Sequence, residues 1–359
     1  MKNRFFHVYI VPAAVFQSVM IGGGYGTGRE VVEYFTRFGA VGGLLGLAAA
    51  TAGLAVVLGM TYDRARGAAA YDYRSFVRSI AGRAWVAYEA LYLLLLLLVL
   101  AVVGAAASEM LSANFGVPKV AGAGLILALI AIITLFGRTL IERSLTVWAI
   151  LLSAIFVAYF MLAVTGEHAG KQAVTTADAG LAWLPAALQY ALYNVAIAPG
   201  LLFSIRAIET RREAYGAAVA AAIAGIAPAV MFHVTFLPYL PEIVSEPLPT
   251  YRTLARIGAS WFLAIYTIGL VGTLVQTGVG IIHGVIERIE SWRAETGRGG
   301  LGARSRAGVA IGAVGLSILL SSAGIIPLIA NGYGLLAWGF LLVYVVPLTF
   351  ATLLGTRRP

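Results

Sequence analysis

The residues best equipped for chemistry lie in one stretch, Met20-Ile21-Gly22-Gly23-Gly24-Tyr25-Gly26-Thr27-Gly28-Arg29-Glu30. Five glycines in seven positions make a poor helix, because each costs ~1 kcal/mol relative to alanine. The flanks, 8–21 and 31–38, are apolar enough to lie in a bilayer, where a freed backbone group finds no water. A break there is sustained only where protein or a water-filled cavity surrounds it, and its N–H and carbonyl groups then serve to hold a solute or an ion. Close packing of helices through small residues is the competing reading. The density of glycine, with Arg29 and Glu30 directly behind it, favours the break. A nucleotide loop is excluded: the Gly-x-Gly-x-x-Gly spacing is not met from Gly22 or Gly24, and no Gly-Lys-Ser/Thr follows.

A second irregular stretch runs over 188–200, where Pro199 removes a donor, Gly200 adds freedom and Asn194 is a polar residue with no reason to face lipid. Together the two stretches could serve a zwitterion. The N–H groups of Gly22, Gly23, Gly24, Tyr25 and Gly26 would meet its carboxylate, with Thr27 adding a hydroxyl. Carbonyls over 194–198, up to Ala198, and the Asn194 side chain would meet its ammonium. Alternatively these groups satisfy one another in a packed core. Arg29, Glu30 and Glu109 are candidate gating residues, Arg29 pairing with Glu109 when the outer side shuts. Arg29 and Glu33, spaced i,i+4, equally suit a local ion pair. His7, His168, His233 and His283 are scattered and the chain has no cysteine, so no catalytic residue, metal centre or thiol chemistry is expected beyond a sodium site. His233 and His283 are either proton carriers or structural.

The elements that must position these residues follow from composition. The 359 residues are 60% hydrophobic and 11% charged, about half the charge of a soluble domain. Runs of ~20 apolar residues suit helices crossing a ~30 Å core, and the ~10-residue alternation of a β-barrel is absent. Ten spans are expected: 8–38 with its break, 41–60, 85–111, 120–136, 145–164, 183–205 interrupted at 194–200, 217–237, 254–289, 307–322 and 328–354. Lys2 and Arg4 lead into the first run with no small-residue cleavage site, so no removable signal is expected. Nineteen of the 25 Lys and Arg, at 2–4, 64–83, 138–143, 206–212, 288–306 and 357–358, fall on one side of this arrangement. That bias predicts a multi-pass protein of the cell membrane with both termini cytoplasmic. It also accounts for the net charge of +9 without nucleic acid, the lipid bilayer being the partner.

Five spans separate the two irregular stretches, and because five is odd the second half enters from the opposite face. That is the arithmetic of an inverted repeat, repeat one over 8–164 and repeat two over 183–354, in a single transmembrane domain 1–354 with a cytoplasmic tail 355–359. The pattern resembles the LeuT fold of the amino acid–polyamine–organocation superfamily. Gly22 to Glu30 most resembles the YkvI-like membrane proteins, supported by Tyr193-Asn194 and Asn331-Gly332-Tyr333-Gly334. The resemblance implies an all-α membrane protein of about ten helices in a 5+5 inverted repeat, with helices 1 and 6 broken around the substrate. It implies a secondary transporter, not an enzyme, working by alternating access on an amino acid or similar solute, with Tyr193 added to the substrate residues. In sodium-coupled relatives an ion lies between the first break, here Ile21 and Gly22, and the eighth helix, here Thr273, Gln276 and Thr277. Gln276-Thr277 departs from the usual pair of small hydroxyls. Proton coupling, and less readily a channel, are the alternatives.

Overall fold

A computed structural model describes residues 2–136, 138–165 and 180–354. Glu167, His168, Lys171 and Asp178 of the expected outward loop, and the tail 355–359, lie outside the described residues. The described residues are 87% helical, with no strand among them. Six helices are long and apolar enough to cross a membrane, and Trp183–Val195 with Ala198–Ile205 forms a seventh, bent span. Shorter apolar helices at Phe6–Met20, Lys119–Leu135 and Leu151–Thr165 occupy the first, fourth and fifth expected positions. Large exposed side chains such as Val120, Ile132, Ile268, Leu319 and Leu335 stud these helices, as lipid-facing surfaces require.

The first span is broken twice. Its inner helix Val11–Met20 stops at Ile21 (ψ 82°) and the extended Gly22 (φ −101°, ψ −169°). A single helical turn, Gly23–Gly26, then closes with Gly26 N–H donating to Gly22 O at 2.9 Å, so the unwound part is narrower than the whole glycine run. Gly28 takes the left-handed conformation (φ 78°), which glycine adopts without penalty, and Arg29–Tyr34 completes the span. The sixth span bends by 57° between Val195 and Ala198. Pro199 sits in the first turn of the 3-10 segment Ala198–Ile205, where its missing N–H breaks no helical bond.

The halves pair crosswise: Arg29–Tyr34 packs on Trp183–Val195, and Val11–Met20 on Ala198–Ile205. The long second span, Gly39–Gly67, packs on both Arg211–Phe236 and Trp183–Val195. Two amphipathic helices lie outside the expected set. Tyr73–Ala81 is capped by Asp72, whose Oδ1 accepts from Ser75 N–H at 2.9 Å. Pro249–Ile257 ends at left-handed Gly258 (φ 77°), so the eighth span begins at Ser260 rather than at 254.

One end of the molecule gathers basic side chains and their partners. Arg4 reaches Glu209 and Glu213 at 2.6 and 2.7 Å, and Arg288 reaches both oxygens of Glu89 at 2.8 and 2.7 Å. The Arg288 guanidinium also lies 4.0 Å from the Tyr73 ring centroid and 4.2 Å from that of Tyr92. Helix Val346–Leu353 packs on Tyr73–Ala81, which brings the chain's last described helix to the end that holds Arg4.

Candidate functional site between the two broken spans

Side-chain spacing in the outer half of the first span divides it into two faces. Arg29, Glu33 and Arg37 follow at i,i+4, and Glu33 pairs with both arginines. Arg29 is buried and also donates to the carbonyls of Val244 (2.6 Å) and Glu246 (3.3 Å), which fastens the span to the loop after the seventh. Glu30 and Tyr34, themselves i,i+4, take the other face and look toward the sixth and tenth spans. Tyr193 O–H donates to Glu30 Oε2 at 2.6 Å. Tyr34 O–H donates to Ile329 O at 2.9 Å.

Glu30 is 5% exposed, and among the described residues no Lys, Arg or His comes within ion-pair distance of it. Aromatic rings surround it instead. Tyr193 has its centroid 4.8 Å from that of Tyr333, 5.5 Å from Tyr190 and 5.7 Å from Tyr34. Glu30 also folds back against the first break: a Cβ on Gly24 would lie 3.2 Å from its Cδ and closer still to Oε1. Tyr333 belongs to a π-helical turn, Leu328–Tyr333, in the tenth span, a local widening common where helices carry function.

The break's own carbonyls are largely engaged by protein. Tyr266 O–H donates to Gly26 O at 2.6 Å and Thr27 Oγ1 to Gly24 O at 2.8 Å. Thr27 O accepts from both the N–H and the hydroxyl of Thr250. Tyr25 O–H reaches Gly225 O at 3.1 Å. The eighth span lies beside the break, Leu274 and Leu270 facing Gly23 and Gly26, and the Thr277 methyl being nearest to Gly22.

Several expected residues are placed differently from the expectation. The Asn194 amide donates to Tyr190 O at 2.9 Å, one turn back on its own helix, and Thr273 Oγ1 likewise to Gly269 O at 2.8 Å. Gln276 is half-buried, and Ile21 and Ala198 are buried at the two breaks. Glu109 pairs with Lys119 at 2.6 Å, so the expected Arg29–Glu109 pair is not formed in this structure. Glu30 is turned inward, on the face away from Arg29's partners, and not into an outer gate. His233 is held between Thr36 Oγ1 (3.1 Å) and Ala40 O (3.4 Å), while His283 is exposed beside Glu287. Tyr34 and Tyr190 are not among the residues singled out from sequence, and Tyr333 enters there only within Asn331-Gly332-Tyr333-Gly334. The i,i+4 relation of Tyr34 to Glu30 was the one available signal.

Paired broken helices of opposite direction, packed crosswise about a buried site, can be compared with known folds. The chain superposes on Mhp1, a nucleobase-cation-symport-1 family transporter in a closed conformation with bromovinylhydantoin bound, with a TM-score of 0.63. The alignment covers 97% of this chain and 79% of that one at 12% identity. The fold is that of the LeuT-type transporters. A single-residue mutant of the manganese transporter of Eremococcus coleocola also matches, at TM-score 0.49 and 12% identity over 99% of this chain and 89% of that one. No protein-family model matches the chain, and no curated protein does. Chemically, the arrangement offers a ligand one carboxylate, a set of tyrosine rings and hydroxyls, and a short length of irregular backbone, all at the joint between two crosswise-paired helices.

Proposed function

We propose that this chain is a secondary active transporter in which a small, amino-acid-like organic solute binds between the two breaks and crosses by alternating access. The observation that carries this reading is the crosswise pairing of the broken spans, joined across the site by the Tyr193–Glu30 hydrogen bond. Separating the outer pair would expose the site on one side, and separating the inner pair would expose it on the other. We assign sodium as the coupling ion, entering between Ile21-Gly22 and Thr273, Gln276 and Thr277, on the strength of the eighth span's contact with the break. A second reading, proton coupling, is favoured by Glu30, a buried carboxylate that the chain leaves without a basic partner among the described residues. We further assign the chain to the YkvI-like branch, from Gly28-Arg29-Glu30 and Tyr193-Asn194, and to the cell membrane with the basic end cytoplasmic.

Solute counterflow in proteoliposomes is the test. Preloaded vesicles should accumulate labelled solute against no ion gradient, and an imposed gradient should drive net uptake. Sodium dependence that is lost in Thr277→Val supports the sodium site; uptake driven by pH alone moves the coupling to Glu30. A panel of amino acids and amines giving neither counterflow nor uptake would overturn the transporter reading.

A further inference from the structure

The chain spends a buried carboxylate at the joint of its two broken spans and supplies nothing positive to match it. Removing a carboxylate from water without a partner costs several kcal/mol, which is relieved either by a proton or by a countercharge. Both nearby guanidinium groups, Arg29 and Arg37, are held by Glu33 on the opposite face. The imidazole of His233 is engaged by Thr36 and Ala40. Among the described residues no basic group is left for Glu30, so what neutralises it, a proton or a cationic ligand, comes from outside them.

The surroundings select its kind. Tyr25, Tyr34, Tyr190, Tyr193 and Tyr333 all lie within electrostatic reach of Glu30. Three of these rings, Tyr34 of the first span and Tyr190 and Tyr193 of the sixth, pack on one another at centroid distances of 5.5 to 5.7 Å, an aromatic cluster whose faces become available to an ammonium group where the two spans part. The Tyr190 hydroxyl is buried in the same cluster. The one donor that Glu30 has, Tyr193 O–H, comes from the other broken span and withdraws when the two part. A small metal ion prefers a closed shell of oxygens; a single acid among ring faces suits an amine.

We propose that Glu30, with Tyr34, Tyr190, Tyr193 and Tyr333, binds the positively charged amine group of the solute. This deepens the transporter reading and rests on it for the opening of the site. It also turns the solute around relative to the sequence-based expectation. Its cationic end meets the first span, because a solute carboxylate at Gly24 would face the Glu30 carboxylate.

The test measures thermal stabilisation of the purified full chain in detergent, using isoamylamine hydrochloride, L-leucinamide and L-leucine against the uncharged isoamyl alcohol, in sodium and in sodium-free buffer. Amine-bearing probes should act at concentrations at least tenfold below the alcohol, and Glu30→Gln should abolish that preference. If Glu30→Gln does not fold, Glu30→Asp keeps the charge and should retain the preference at weaker affinity. Equal response to amines and alcohol, or a preference that survives Glu30→Gln, overturns the proposal. Stabilisation by sodium chloride alone that depends on Glu30, with amines inert, also overturns it, while leaving the transporter reading intact. Glu30-dependent amine binding without any counterflow upholds the amine site and removes the transporter reading.

Discussion

Replacing Gly24 with alanine asks whether this glycine is there to let the Glu30 carboxylate reach the break. The backbone at Gly24 is not left-handed, so alanine brings no conformational strain of its own. Its Cβ would, however, stand 3.2 Å from Glu30 Cδ and Cγ and closer still to Oε1. Restoring an ordinary contact requires the carboxylate to retreat by about 1 Å, beyond the reach of Tyr193 O–H. A hydrogen bond to a charged group contributes ~1.5–3 kcal/mol, and alanine returns up to ~1 kcal/mol through helix propensity and the unfolded chain. The net expectation is a loss of ~0.5–2 kcal/mol, together with at least tenfold weaker solute binding. Tyr193→Phe deletes the same hydrogen bond, so the two losses should not add, and a double-mutant cycle should return a coupling of ~1–2 kcal/mol. Melting curves of the four proteins in one detergent give the cycle, and ligand titration gives the binding. A higher melting temperature for Gly24→Ala with normal binding would make Gly24 an ordinary helix glycine and refute the reasoning; strictly additive losses would show that Glu30 is not what the two positions share.

Three further outcomes are expected. Gly28→Ala places a side chain in the left-handed region, at ~1–2 kcal/mol, and drives its Cβ into the Phe236 ring, so it should destabilise more than Gly24→Ala in chemical unfolding; equal stability would refute this. Arg29→Gln leaves buried Glu33 with Arg37 alone and frees the Val244 carbonyl, a loss of ~1–3 kcal/mol, and hydrogen exchange over 242–246 should rise sharply. Unchanged protection there would mean that the loop is held by something else. The chain has no cysteine, so a single cysteine at Arg66 should resist impermeant thiol reagents in whole cells, and labelling from outside would invert the topology.

The breaks were legible because they are local. A run such as Gly22-Gly23-Gly24 and a Pro199-Gly200 pair declare themselves against apolar flanks. The partners of the site were not, because they depend on distant contacts. Tyr193 and Glu30 are 163 residues apart, and nothing in the first span says which of two adjacent charges turns inward. The i,i+4 rule identified Arg29–Glu33 correctly, and followed further it puts Glu30 on the other face with Tyr34. Asn194 and Thr273 each donate one turn back on their own helix, so a polar side chain in a span does not by itself point to a ligand. The helices Tyr73–Ala81 and Pro249–Ile257 escaped a search for apolar runs because they are short, charged on one side and lie outside the spans.

The first span's outer half is fastened unequally to its neighbours, and this sets which contacts a solute can switch. Toward the loop around Val244 it has a buried arginine bonded to two carbonyls; toward the sixth span it has the hydroxyl of Tyr193 and the packing of Tyr34 and Phe35 on Tyr190 and Tyr193. Millimolar binding supplies ~4 kcal/mol, which exceeds the ~1.5–3 kcal/mol of one charge-assisted hydrogen bond but not that bond added to the Arg29 network. Only the part of that energy which favours the parted over the joined spans shifts their ratio, each ~1.4 kcal/mol of it being a factor of ten. The loop around Val244 would then travel with the first span as one body, and the boundary between moving and stationary parts would run between Glu30 and Tyr193.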